Sequence, residues 1–261
     1  IYDNKEGLKA DPSYPGNLLS QDEDTRRALL EGCWKAGVNP KDIYDYQSFC
    51  GVFDNVKQVN KAGKYITADI ALEGSNKLVV GYWEGRELMD VEILDKSDGP
   101  TVIKLISSVA EYYGVENRYI CYDADGVGGY VGGYLRGAIP FNGGLPAIEV
   151  KDQASGKMIK ENYFNLKTQC YYRSGMSAAK GELKINERCA NKMYDDKMTV
   201  RQRFMYERKA VKKTKTDMDG KLRILPKNEM KVMLNGDSPD MLDMFMMREI
   251  FDLKPVRQFI A

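Results

Sequence analysis

The succession of apolar runs between residues 65 and 142 constrains this chain more than any other feature. YITADIAL (65–72), KLVVGYW (77–83) and ELMDVEIL (87–94) are separated only by EGSN and EGR. Short runs of this kind, punctuated by glycine-bearing turns, predict a three-stranded antiparallel meander. PTVIKLISSVAEYY (100–113) follows, with apolar residues at helical spacing, Pro100 at its start and Gly114 at its end. That pattern predicts a helix. RYICYD (118–123) then reads as a fourth strand, GVGGYVGGYL (126–135) as a loop leading into a helix, and GAIPFN (137–142) as a short fifth strand.

The remainder is helical in pattern. ENYFNLKTQCYYRSGMSAAKGE (161–182) predicts one long helix, and MDGK (218–221) the turn of a hairpin. LPKNEMKVMLNG (225–236) and SPDMLDMFMMREIF (238–251) predict two closing helices, the second capped by Ser238 with Pro239 in its first turn. Meander, helix, strand, helix, strand, helices is the order of an α/β protein with a sheet of mixed direction. A fourth strand lying beside the first, parallel to it, gives the ribonuclease H-like arrangement. Ahead of this, residues 1–55 are turn-rich around DPSYPGN (11–17), with a short helix in SQDEDTRRALLEGCW (20–34) and a second loop up to about Asp54. Ser20 and Glu23 have the capping-box spacing and Gly32 is a stop. This segment is too short for a domain and reads as a linker, leaving 56–261 as the folded unit.

Histidine is absent from all 261 residues. Hydrolases with a histidine base, H-E-x-x-H metalloproteases and His-ligated zinc or copper sites are therefore excluded. A metalloenzyme without histidine must use carboxylates, which favour hard ions such as Mg²⁺ or Mn²⁺. The five cysteines, Cys33, Cys50, Cys121, Cys170 and Cys189, are odd in number and form no C-x-x-C, which fits a reducing cytosolic compartment. No apolar run approaches the ~18–20 residues that span a bilayer, so no membrane partner is expected. The N-terminus lacks a signal-peptide pattern and starts without Met, which suggests a piece of something longer. Charge is uneven: the stretch from Arg201 to Lys227 is strongly basic, and Arg201, Arg203, Lys212, Lys213 and Lys215 are candidate DNA contacts. The alternative for such a block is a solvated helix face.

Three aspartates occupy positions where chemistry is the stronger reading. Asp69 lies inside the first strand, on a face with Tyr65, Thr67 and Ala71. Asp123 ends the fourth strand, directly before a glycine-rich loop. Asp240 stands in the first turn of the last helix, and Asp243 one turn on, in a helix apolar on nearly every side. Singly, each has a bland explanation in solvent exposure, turn initiation or the helix dipole. Together, adjacent first and fourth strands place Asp69 beside Asp123, and the last helix can bring Asp240 across them. Crowded carboxylates repel unless cations neutralise them, and two divalent ions ~3.5–4 Å apart would do so while supplying a hydrolytic mechanism. The loop DADGVGGYVGG is no nucleotide site: it lacks G-K-[ST], and Val131 stands where G-x-G-x-x-G needs its third glycine.

With these residues in view, the sequence resembles the C-terminal nuclease domain of the large terminase subunits of tailed phages. YITADIAL resembles that family's first-strand motif, with Asp69 as its aspartate, and ICYDADGVGGYVGGYL the second, with Asp123. KVMLNGDSPDMLDMF resembles the third, the S-P-D-x-x-D helix start, with Asp240 and Asp243. NLLSQDEDTRRALLEGCW resembles the segment that joins the ATPase to the nuclease. One departure is DIALEGSN in place of D-P-A-x-G-x-D, which leaves Asn76 where an acidic residue is usual; whether Glu73 or Asp125 assists the metals stays open. The resemblance implies a metal-dependent endonuclease that cuts concatemeric double-stranded DNA in genome packaging. Asp69, Asp123 and Asp240 would be catalytic, and these with Asp243 would hold two Mg²⁺ or Mn²⁺ ions. It also implies an ATPase ahead of Ile1, portal protein and small terminase subunit as partners, and the host cytoplasm as location. The competing functions are a Holliday-junction resolvase or transposase of the same fold, and a non-catalytic DNA- or portal-binding module.

Overall fold

The computed structural model describes Lys9 and residues 39–254, apart from 55–57, 72–76, 96, 126–128, 153–154 and 215–218. The expected helix at 20–32, Glu73, Asn76 and Lys215 lie outside the described residues. The first helix described, α1 (Tyr46–Asp54), falls where a loop was expected. Phe49, Val52 and Phe53 are spaced three and four apart, and they form its buried stripe. Ile43, Tyr44 and these residues belong to the same core as the C-terminal helix, so this part of the expected linker is integral to the fold.

The meander forms as its alternation requires. β1 (Lys64–Asp69) pairs antiparallel with β2 (Leu78–Glu84), and β2 with β3 (Glu87–Leu94), where a bulge falls between Tyr82 and Trp83. The crossover helix α2 (Gly99–Tyr113) starts on an Asp98 side chain that accepts from the Thr101 N–H, and stops at Gly114, whose φ of 66° suits a residue without Cβ. It returns the chain to β4 (Ile120–Asp123), parallel to β1. The short helix α3 (Val131–Tyr134) leads to β5 (Ile139–Phe141), parallel to β4. A separate two-stranded pair, β6 (Val150–Lys151) and β7 (Met158–Ile159), precedes α4 (Leu166–Ala179). β8 (Lys184–Ile185) closes the sheet beside β3, giving the order β5-β4-β1-β2-β3-β8. This is the ribonuclease H-like mixed sheet that the sequence predicts.

Two of the expected helices have other boundaries. α4 begins at Leu166 rather than 161, because Asn165 accepts hydrogen bonds from both the N–H and the hydroxyl of Thr168 and so caps the helix. The chain before it pairs elsewhere: the Phe164 N–H donates to the Leu222 carbonyl. After α5 (Glu187–Asn191) and α6 (Val200–Arg208), residues 212–214 run alongside 222–225, with Leu225 N–H on Lys212 O and Thr214 N–H on Arg223 O. These are the two arms of the hairpin expected around 218–221. α7 (Lys227–Met233) is followed by α8 (Asp240–Met246), a 3₁₀ turn at Met247–Glu249, and α9 (Ile250–Leu253). α8 starts one residue later than Ser238 and Pro239 predict, and the Ser238 hydroxyl is buried without capping anything.

The sheet separates two apolar layers. Ile66, Ala68, Val80 and Ile120 face α2, while Val79, Trp83, Leu88 and Cys121 face α1, α4, α6 and α8. Gly81 explains how closely α8 sits: a Cβ there would collide with the Met244 sulfur. Among the described residues, no helix is long and apolar enough to cross a membrane.

A candidate acidic centre

The parallel register pairs Thr67 with Cys121 and Ala68 with Tyr122, so one step further Asp69 comes opposite Asp123. Alternation puts Thr67 and Asp69 on the α8 side. Thr67 is fixed there by the Trp83 indole N–H, 2.9 Å away. α8 packs across β1 and β2 and delivers Asp240 and Asp243 from its first turn. The backbone N–H of Lys77, immediately before β2, donates to Asp240 at 3.0 Å. Asp69, Asp240 and Asp243 are all buried, and Asp123 is half-buried. The structure thus brings the four expected acidic residues into one electrostatic unit.

Their titration shows the cost. Burial pushes the Asp69 carboxyl well above the usual range, and the charges of Asp243, Asp240 and Asp123 push it further. Burial also raises Asp123, although the Asp125 N–H on its carboxylate opposes this. Asp240 is pushed up to about 6, by burial first and by Asp243, against the pull of the Lys77 N–H, Arg203 and Lys227. Four acids drawn together out of water demand positive charge.

One cation is built in, and no local pattern in the sequence points to it. Lys167, in the first turn of α4, places its ammonium 2.8 Å from both carboxylate oxygens of Asp243. Burial pulls its pKa down, but Asp243, Asp69 and Asp123 together raise it. The Tyr171 hydroxyl, one turn along α4, donates to the same carboxylate at 2.5 Å. Asp243 is therefore held by protein groups, whereas Asp69 and Asp123 have no cationic side chain bonded to them among the described residues. Asp125 is occupied elsewhere: its carboxylate accepts from the Gly143 N–H at 3.0 Å, tying the loop after β4 to the chain after β5.

The start of α8 is secured from α6. The Glu207 carboxylate, fully buried, accepts from the N–H groups of Met241 (3.3 Å) and Leu242 (2.9 Å). It takes the place that the expected Ser238 cap would have filled. Arg203 reaches Glu207 at 2.7 Å, Asp237 at 2.7 Å and the Ser238 carbonyl at 3.0 Å. Arg203 is only 4% exposed, so it is a buried clamp and not the DNA contact expected of it. Arg201 pairs with Asp54 at 2.8 Å and lies over the Phe53 ring, while Lys212 pairs with Asp42 at 3.7 Å.

Mixed sheet, crossover helix and a carboxylate-rich centre at the ends of β1 and β4 define a ribonuclease H-like α/β protein. No protein-family model and no curated protein matches the chain. Among solved structures, its fold is that of the nuclease domains of phage large terminase subunits. A mutant nuclease domain of the large terminase subunit gp2 of bacterial virus Sf6, with manganese and beta-thujaplicinol, superposes with a TM-score of 0.67 at 17% identity. That match covers 79% of this chain and 97% of the other. A further structure of the same Sf6 domain gives 0.62 at 19% identity, over 79% and 97% of the two chains. The large terminase nuclease of the thermophilic phage G20c gives 0.50 at 11% identity, over 80% and 98%. One Sf6 structure contains calcium.

Among the described residues, no group of three or more acidic or cysteine side chains is drawn close enough to hold a metal ion as it stands. The donor chemistry nonetheless fits hard divalent ions: oxygen donors that repel one another, with Lys167 the one cationic side chain bonded to any of the four among the described residues. Stability should depend on pH accordingly. An acid whose pKa is raised on folding, such as Asp240 from 3.8 to about 6, is favourable while protonated and costs stability as pH climbs through that window. The cost at neutral pH is roughly 3 kcal/mol for this group. In EDTA the melting temperature should fall from about pH 4 to about pH 6, and Mg²⁺ should restore part of the loss above pH 6 by binding the ionised centre. Thermal melts of the wild type and of Asp240→Asn check this; identical profiles for the two would show that Asp240 does not couple folding to pH.

Proposed function

We propose that this chain is a metal-dependent endonuclease that cuts double-stranded DNA, and that it serves as the cutting domain of a tailed-phage packaging motor. The observation that carries the proposal is the set formed by buried Asp69, Asp240 and Asp243 with half-buried Asp123, at one face of a sheet whose fold is shared with terminase nuclease domains. Asp69, Asp123 and Asp240 would hold two Mg²⁺ or Mn²⁺ ions. When bound, such ions activate water and stabilise charge on the phosphate and the leaving 3′ oxygen.

The chain's own residues set the conditions for this. Lys167 and Tyr171 fix Asp243 so that it supports the centre without turning toward solvent. Glu207 and Arg203 fix the helix end from which Asp240 projects. The Lys77 N–H orients the Asp240 carboxylate. No histidine base is needed, in agreement with the sequence. With no P-loop present, ATP hydrolysis is assigned to a separate domain of the motor. Portal protein and small terminase subunit would be its partners, in the host cytoplasm during assembly.

Supercoiled plasmid with Mn²⁺, with and without EDTA, tests the activity. Cleavage abolished by EDTA is expected; none in either condition would favour a non-catalytic DNA- or portal-binding module. Faster cutting of a four-way junction than of linear duplex would favour a resolvase. The basic hairpin supplies the DNA backbone contacts in this reading, through Lys212, Lys213 and Lys215, with Arg201 at the start of α6 as a further one. Its paired arms border the cleft that Lys167 also lines, which supports a position beside the acidic centre. Changing the three lysines to alanine should weaken duplex binding equally for unrelated sequences. The salt slope should become shallower by about 0.9 for each phosphate that is no longer neutralised. A filter-binding titration at several salt concentrations reads this, and an unchanged slope would leave the block a solvated face.

A further inference from the structure

Beside the acidic centre lies a cleft of about 430 Å³ between the start of α4, the paired stretches 212–214 and 222–225, and α7. Two of its lining residues connect it to the carboxylates. Lys167 is ion-paired with Asp243, and Lys227 lines the cleft at the start of α7, the helix that precedes α8 in the chain. Its apolar part is made by Phe164, Ile224, Leu225, Pro226 and Met230. Phe164 is 46% exposed, and the Arg223 guanidinium lies 3.6 Å from its ring centroid. Polar groups converge on the same space. Asn165 commits its carbonyl oxygen to Thr168 and has no partner for its amide N–H groups among the described residues. Thr214 and Glu229 add a hydroxyl and a carboxylate to the lining.

This combination suits one class of occupant. A closed apolar pocket would take an aliphatic ligand, and a purely basic groove would take only backbone phosphate. Here an aromatic and aliphatic wall, an uncommitted amide and two lysines share a volume that fits a single planar heterocycle with its sugar phosphate. We propose that the cleft receives one nucleotide of the bound strand, unstacked from its neighbours and seated next to the phosphate over the acidic centre. The base lies against Phe164 and Ile224, with the Asn165 amide at its edge. The phosphate lies toward Lys227. This rests on the nuclease reading and specifies how that site grips its strand. Unstacking is least costly in single-stranded or mismatched DNA, so the cleft makes the chain prefer such segments over continuous B-form duplex.

The test is binding of a fluorescein-labelled 16-nucleotide DNA, single-stranded and as its own duplex, in Ca²⁺ to suppress cleavage. Wild-type chain is compared with Phe164→Ala, which removes the stacking wall, and Thr214→Trp, which fills the cleft. Both residues lie outside the acidic centre. Each variant should lose about tenfold in single-strand affinity, the share one base–aromatic stack carries, and less than threefold on the duplex. Photocrosslinking of 4-thiothymidine placed in the oligonucleotide should label peptides containing Phe164 or Ile224. Equal losses on both substrates, unchanged affinities, or crosslinks only elsewhere would overturn the proposal and leave the nuclease reading standing. Absence of any DNA binding by the wild type would overturn both.

Discussion

Glu207→Ala should be among the most destabilising single substitutions in this chain, costing about 3–5 kcal/mol in urea unfolding. The carboxylate does three things at once. It neutralises Arg203 at 2.7 Å in a site where Arg203 is 4% exposed, and it accepts the N–H groups of Met241 and Leu242 at the start of α8. Removing it leaves a buried guanidinium whose one remaining carboxylate among the described residues is Asp237, itself 46% exposed, beside the Ser238 carbonyl, and strands two helix-end donors. Unpaired buried donors alone cost about 1–3 kcal/mol each. Glu207→Gln keeps an acceptor for α8 but not the charge, and should fall between wild type and Ala. Arg201→Ala is the matched control: its pairing with Asp54 lies at the surface, where such pairs contribute about 0–1 kcal/mol. Because Asp240 sits one residue before Met241, Glu207→Gln should also weaken the Mg²⁺-induced rise in melting temperature, a change that simple loss of packing would not produce. A cost below about 1 kcal/mol for Glu207→Ala would mean that α8 holds its place without α6.

The contrast between these two arginines separates what a sequence makes legible from what only folding reveals. The meander, the crossover helix and the pairing of β1 with β4 were legible, because alternation and turn residues are local signals that report directly on a sheet. Asp69 and Asp123 followed from that topology, and Asp240 with Asp243 from a polar pair in an otherwise apolar helix. Partners distant in sequence were not legible. Lys167 is one lysine among many until folding puts it 2.8 Å from Asp243, 76 residues away. Arg203 looked like Arg201 in a basic stretch, and only the packing of α6 under α8 separates a buried clamp from a surface charge. Ser238 and Pro239 carried an ordinary capping pattern, but the acceptor comes from Glu207, so the pattern fixed the helix and missed its cap. At α1 the i, i+3, i+4 stripe of Phe49, Val52 and Phe53 was present in the sequence, too short to stand out beside the turn-rich segment before it.

If the proposed nuclease reading holds, Asp69→Asn, Asp123→Asn and Asp240→Asn should each reduce divalent-dependent cleavage by about 10³-fold or more, because each would remove a charged ligand from chemistry that depends on metal-held charge. The same substitutions should leave the metal-free fold as stable as wild type or more so. Burial and mutual repulsion raise the pKa of all three, so their ionised forms oppose folding at neutral pH. Loss of activity with gain in melting temperature separates a ligand role from a packing role, since a packing residue would lose both. Asp243→Ala should behave in the opposite way. It strips the ammonium of Lys167 and the hydroxyl of Tyr171 of their shared acceptor, so stability falls, while cleavage is weakened and not abolished. Asp125→Ala should release the loop from Gly143 and cost little activity. Plasmid cleavage in Mn²⁺ beside thermal melts in EDTA measures both quantities for every variant. A dead Asp125→Ala alongside an active Asp123→Asn would move the catalytic carboxylate two residues along the loop, and the β1–β4 register would then no longer explain the centre.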